Sequence, residues 1–201
     1  MNSSLDLSLY APTPLKGEVR LPGDKSLSHR AALFAALAEG ESRIEGFLVS
    51  GVTRAMLNAL AGLGVEWGLD QDRLTVIGKG LNGFSPPPAP INCGNSATTI
   101  RMLAGALAAT GVPATLDGSE GLRKRPMDRV IDPLASMGVH IESANGCAPL
   151  ALAARSGTAL RPINYALPVA SAQVKSCLIL AALAADGVSE LREPGPSRDH
   201  T

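Results

Sequence analysis

Aromatic side chains are scarce in this sequence: three Phe, two Tyr and one Trp in 201 residues. That leaves no stacking platform of the kind single-strand nucleic-acid binders use, and it requires an aliphatic core. Neither sign of charge dominates, because 18 Lys+Arg balance 18 Asp+Glu. Bulk charge therefore excludes a nucleic-acid or membrane-surface partner, and any anion binding must come from local placement. Cysteine is limited to Cys93, Cys147 and Cys177, widely spaced, with no CxxC and no Cys/His pairing. They read as free thiols of a reducing compartment, neither a disulfide frame nor a metal site. The amino terminus MNSSLDLSLYAPTPLKG has no basic stretch followed by an apolar one. No run approaches the roughly 20 apolar residues of a membrane span. The expectation is a cytoplasmic protein. No G-x-S-x-G elbow and no metal-ligand constellation occurs, so neither a metal nor a cofactor is expected.

What is present is repetition. Five Ala/Leu-rich helices are expected, each closed by a glycine: Gly40, Gly64, Gly111, Gly138 and Gly187. Each glycine suits the left-handed position after a helix. The helix openings are expected at Ser28, Thr53, Ser96, Pro126 and Ser171. Extended runs follow: SRIEGF, VEWGL, RLTVIG, ATLDG, VHIES and VSELRE. Alternate closing glycines lie 71, 74 and 76 residues apart. The spacing predicts a repeat of two helices and several strands, with the second helix of a third unit falling past Thr201.

The first helix of each unit opens on a polar run suited to anions. These are Leu21 to Arg30 (LPGDKSLSHR), Gly94 to Arg101 (GNSATTIR) and Ala170 to Ser176 (ASAQVKS). Free backbone N–H groups and the positive end of the helix dipole favour negative charge at such places. Lys25, Arg30 and Arg101 add full charge; Ser26, Ser171 and Gln173 add directional hydrogen bonds. The second helices open on arginine as well, at Arg54, at Arg123-Lys124-Arg125 and at Arg198. A Walker A nucleotide loop is excluded, because Asp24 separates Gly23 from Lys25. His29 reads more readily as a structural or solvent-facing residue than as a general base. Recurrence at equivalent places in all three units favours one face for a multiply anionic ligand.

At these residues the sequence resembles the 5-enolpyruvylshikimate-3-phosphate synthase family. The matching runs are LPGDKSLSHRA (21–31), GNSATTIR (94–101), DGSEGLRKRPMDRV (117–130), LPVASAQVKS (167–176) and EPGPSRDHT (193–201). The UDP-N-acetylglucosamine enolpyruvyl transferases are the alternative; they share the fold but lack the KSxSHR and SAQVKS signatures. The resemblance implies an α/β fold of repeated βαβαββ units, the pseudo-threefold inside-out barrel of one domain in a two-domain enzyme. It implies that residues 1–14 form a strand belonging to the other domain. Residues 15–201 would then form the amino-terminal domain, incomplete in its third unit.

The implied reaction moves the enolpyruvyl group of phosphoenolpyruvate to the 5-hydroxyl of shikimate 3-phosphate, through a tetrahedral ketal that releases phosphate. By motif, Lys25 is implied to contact phosphoenolpyruvate, and Ser26 and Arg30 to hold shikimate 3-phosphate. Asn95, Ala97 and Arg125 are implied to line the phosphoenolpyruvate site. Ser171, Ala172 and Gln173 would bind shikimate 3-phosphate, with Arg198 supplementing its phosphate clamp. The family's acid/base carboxylates lie in the other domain, so no catalytic residue is assigned here. The isolated chain is expected to be inactive, whether as half of an enzyme, as a non-catalytic binding module or as a partner for a complementary carboxy-terminal fragment. Two departures stand out. Ser50-Gly51-Val52-Thr53 lacks the acidic residue many relatives carry there. Ala97 replaces the glycine of many glyphosate-sensitive relatives, which implies glyphosate as a weak inhibitor of the parent enzyme.

Overall fold

The computed structural model describes residues 16–155 and 157–195. The expected first strand, the segment 1–14 and Arg198 lie outside the described residues. The chain runs through α1 (Lys25–Leu37), β1 (Glu39–Ile44), α2 (Gly51–Gly62), β2 (Glu66–Asp70) and β3 (Arg73–Lys79). It continues with β4 (Ile91–Asn92), α3 (Ala97–Thr110), β5 (Ala114–Asp117), α4 (Glu120–Arg123), α5 (Asp128–Ser136), β6 (Ile141–Ala144) and β7 (Cys147–Leu152). The described chain ends with β8 (Asn164–Ala166), α6 (Ala172–Ala182) and β9 (Glu190–Arg192).

The strand pairing shows the repeat. In the first unit β3 lies between β1 and β2, antiparallel to both. In the second unit β7 lies between β5 and β6, again antiparallel to both. Two parallel pairs, β4 with β5 and β8 with β9, each enclose a helix, α3 in one case and α6 in the other. This is the α/β architecture of repeated strand–helix units that the glycine spacing predicts.

Three first helices, α1, α3 and α6, make the interior. In α3 twelve of fourteen residues are buried, so it is apolar on every side, as a core helix must be. Gly105 lets α6 come close: a methyl there would stand 2.2 Å from the carbonyl oxygen of Cys177. The second helices fill the intervals, α2 against α1 and α3, and α5 against α3 and α6. Among the described residues no second helix fills the interval between α6 and α1. It leaves an apolar groove lined by Phe34, Leu37, Leu81, Ile179 and Leu183.

Several boundaries differ from expectation. Ser96 and Ser171 cap α3 and α6 as predicted, each accepting from a backbone N–H three residues on. Asp24, not Ser28, caps α1, accepting from Leu27 N–H at 2.7 Å. Ser28 lies inside the first turn and accepts from Leu48 N–H at 2.9 Å. Ser50 caps α2, and Thr53 completes a reciprocal capping box. Pro126 precedes α5, whose cap is Met127. Gly64, Gly111 and Gly138 follow their helices closely with positive φ, but Gly40 and Gly187 do not close α1 and α6. Gly40 sits in β1 opposite Gly78, because pairing with β3 captures the chain from Glu39 onward. Gly187 lies beyond a turn in which Leu160 and Ala185 form a bridge.

Strands β4 and β8 span only two and three residues, too short for any periodicity. Strand β7 carries Pro149, which reads against a strand. It falls where the pairing with β6 shifts register, so the missing N–H costs no ladder bond there.

Candidate functional site

The fold brings the helix starts together through side chains that cross between helices. Arg30 of α1 reaches α6, donating from Nη2 to Ser176 Oγ at 3.0 Å and to the carbonyl of Ala172 at 3.4 Å. Arg101 of α3 donates from Nη1 to Gln173 Oε1 at 2.7 Å and from Nη2 to the carbonyl of Pro126 at 3.0 Å. Gln173 returns a bond from Nε2 to Thr98 Oγ1 at 3.0 Å. His29 joins α1 to α3, its Nε2 3.3 Å from Ser96 Oγ. Three helices far apart in sequence thus share one polar seam at their amino-terminal ends.

Around that seam lie the sequence-predicted residues. Lys25, Asn95 and Arg125 are exposed; Ser26, Ser171, Ala172 and Gln173 are half-buried. Arg125 Nη2 donates to Asn95 Oδ1 at 3.4 Å, and Ser119 Oγ donates to the same oxygen at 3.2 Å. Ala97 opens α3 and is buried, with 7% of its surface left exposed. Ser96 and Ser171 each satisfy an amide in the third position of their helices, and the earlier first-turn amides have no acceptor within the helix, the arrangement that suits an anion. At α1 the cap is a carboxylate, so its start is less inviting to an anion than the two serine-capped starts.

Electrostatics favour an anion here. Burial, followed by the charges of Arg129 and Arg125, holds the Arg101 guanidinium below its ordinary value. Its Nε is buried without a hydrogen-bond partner. Arg129 and Arg125 both bring positive charge to bear on Arg101, which a phosphate or carboxylate placed there would offset. By contrast Arg123, from the same basic run, is spent on Asp117 in a two-point ion pair that holds the Asp117 carboxyl below its ordinary range. Lys124 pairs with Glu120 at 2.6 Å. Of Arg123-Lys124-Arg125, only Arg125 turns to the seam. Lys175 at the start of α6 pairs with Glu193 at 3.2 Å, tying the end of β9 to the same region.

The sequence marks Arg101 as a charge but not its bond to Gln173, and Thr98 and Ser119 stand in the quoted runs 94–101 and 117–130 without an assigned role. Their only sequence signal is position, one in the first turn of α3 and one at the cap of the short helix α4. His29 is buried, which excludes a solvent-facing role. Among the described residues no cluster of His, Cys, Asp or Glu is arranged to hold a metal. No helix among them is long and apolar enough to cross a membrane.

Comparison with known proteins gives the family and the fold. The family model for EPSP synthase (3-phosphoshikimate 1-carboxyvinyltransferase) matches residues 9–201. The 3-phosphoshikimate 1-carboxyvinyltransferase of Alkalilimnicola ehrlichii is 51% identical over 189 residues, covering 93% of this chain and 42% of that protein. The enzyme of the same description from Salinibacter ruber is 47% identical over 188 residues, covering 93% of this chain and 44% of that protein. The solved EPSP synthase of Acinetobacter baumannii superposes with a TM-score of 0.86 at 40% identity, over 92% of this chain and 42% of that one. The chain therefore spans less than half the length of the relatives it matches.

Proposed function

Because the chain belongs to the EPSP synthase family, we propose that it supplies the substrate-holding face of a 3-phosphoshikimate 1-carboxyvinyltransferase. In this reading the face takes shikimate 3-phosphate and phosphoenolpyruvate side by side. Ser26, Arg30, Ser171, Ala172 and Gln173 hold the first; Lys25, Asn95, Ala97 and Arg125 hold the second. Arg198 adds to the clamp on the shikimate phosphate. Two anions repel each other in water, and a face built from arginines and free helix amides offsets that repulsion and fixes their orientation. The 5-hydroxyl oxygen would then bond to C2 of phosphoenolpyruvate, giving up its own proton as C3 gains one. Loss of phosphate and of a C3 proton would restore the double bond.

The convergence of the α1, α3 and α6 starts through Arg30, Arg101 and Gln173 carries this reading. Proton transfer needs carboxylates that match no residue assigned here, so residues 1–201 bind without turnover. The division into a segment 1–14 that pairs with the second domain and a domain 15–201 is part of the same proposal. So is a cytoplasmic setting, which the three unpaired cysteines favour. The buried methyl of Ala97 at the first position of α3 narrows the approach to its amides, which favours glyphosate tolerance in the complete enzyme.

The test is phosphate release from the two substrates. Residues 1–201 alone should release none, and mixing with the carboxy-terminal remainder of a relative should restore release. Release by 1–201 alone, or none after a complex has demonstrably formed, would count against the reading.

A further inference from the structure

His29 is completely buried between the starts of α1 and α3. Its Nδ1 lies 2.7 Å from the carbonyl oxygen of Lys25. A carbonyl can only accept, so Nδ1 carries the proton and Nε2 is an acceptor. Nε2 then accepts a hydrogen bond from the Ser96 hydroxyl at 3.3 Å. The Ser96 oxygen also accepts from Thr99 N–H at 3.1 Å and from Thr99 Oγ1 at 2.8 Å. One donor and two acceptor positions are all a hydroxyl has, and here each is used. The carbonyl of Val52, at the start of α2, faces the same ring. Burial, with the charges of Lys25 and Arg30, disfavours a second proton and keeps this arrangement in its neutral form.

The ends of this bridge matter because of what flanks them. One end is the backbone of Lys25, and the other is the hydroxyl between Asn95 and Ala97. All three flanking residues belong to the half of the face assigned to phosphoenolpyruvate. Of the residues assigned to shikimate 3-phosphate, Arg30 bonds Ser176 and the Ala172 carbonyl, and Gln173 bonds Thr98 and Arg101 of α3; none of these contacts runs through His29.

We propose that His29 is a positioning residue which sets Lys25 against the first turn of α3, so that the two close on one phosphoenolpyruvate. This rests on the proposed function of the face. A core histidine that merely stabilises the fold would affect both ligands alike, whereas a bridge that ends on Lys25 and Ser96 acts first on the phosphoenolpyruvate residues beside those ends.

The experiment is a 15N NMR titration of the 201-residue chain with phosphoenolpyruvate and, separately, shikimate 3-phosphate, comparing His29→Ala and His29→Gln with the unaltered protein. His29→Ala should weaken phosphoenolpyruvate by about tenfold or more while shikimate 3-phosphate stays within about twofold. His29→Gln, which keeps an amide within reach of Ser96, should recover most of the loss. Equal weakening of both ligands, or none for phosphoenolpyruvate, overturns the proposal. Should His29→Ala fail to fold, Ser96→Ala must reproduce the selective loss, and an unselective one overturns the proposal. If the unaltered chain binds neither ligand, the functional reading fails, and amide exchange decides on the bridge itself. Faster exchange at Thr99 in His29→Ala with Leu103 unchanged supports it; unchanged or uniformly faster exchange overturns it.

Discussion

Arg101 on α3 donates to Gln173 on α6 at 2.7 Å, across 72 residues of sequence. Gln173→Ala would leave a half-buried arginine with one partner fewer, beside Arg125 and Arg129. A hydrogen bond to a charged group contributes roughly 1.5–3 kcal/mol when shielded and less where water screens it. Urea denaturation should show a loss of about 1–2 kcal/mol for Gln173→Ala. A change below about 0.5 kcal/mol would mean that solvent replaces the bond fully.

The acid side of the stability curve should carry a histidine signature. Burial lowers the His29 value in the folded chain below its ordinary 6.5. Below that pH the unfolded chain takes up a proton that the folded chain refuses. Stability is therefore full above pH 6.5 and falls as pH drops toward the folded-state value, by at most about 1.4 kcal/mol per unit from this group. Asp117 acts lower: its value is depressed, so its contribution is present above the ordinary carboxylate range and is lost as pH falls below it. Between pH 6.5 and 5, His29→Gln should flatten the slope relative to the unaltered chain in chemical denaturation.

Cysteine accessibility separates the three thiols. Burial pushes Cys93 and Cys177 up to about 12, while Cys147 is half-buried in β7. Thiolate is the reactive form, so brief iodoacetamide treatment of the native chain at pH 8 should label Cys147 well ahead of the other two. In urea all three should react, as read by mass spectrometry.

Much of this architecture is legible in the residues alone. Ala-rich segments with a capping residue or proline at one end and glycine at the other mark five helices, and Ser96 and Ser171 cap as expected. Alternate glycine spacing exposes the repeat even though Gly40 and Gly187 stand beyond their helices. What stays hidden is set by tertiary contacts. Strands as short as β4 and β8 have no pattern of their own. Ala38-Glu39 favours continuing α1, and only the partner strand β3 ends it. The placing of the candidate residues at helix starts is readable by motif. Their wiring is not, since no local rule predicts that Arg30 bonds α6, or that Arg123 is withdrawn to Asp117 while Arg125 is left for the seam.

The groove between α1 and α6 should govern association. Phe34, Ile179 and Leu183 are 50%, 52% and 57% exposed along one apolar strip, in the interval equivalent to those α2 and α5 fill. The chain should self-associate through this strip as concentration rises. Ile179→Asp should shift sedimentation toward the monomer while changing folding stability by no more than about 0.5 kcal/mol.

At Ala97 a methyl group replaces a hydrogen at the first position of a helix whose amides point toward the seam. In the complete enzyme Ala97→Gly should increase glyphosate inhibition with little effect on phosphoenolpyruvate. Inhibition curves for the two forms would check this, and an unchanged curve would remove the steric explanation.

The most direct test of the whole account is calorimetry of residues 1–201 with shikimate 3-phosphate. Binding should be saturable at one site, weaken with added salt and be lost in Arg30→Ala, without any phosphate release when phosphoenolpyruvate is added. No heat of binding, or binding that survives Arg30→Ala unchanged, would contradict the claim that the joined starts of α1, α3 and α6 form the phosphate-holding face.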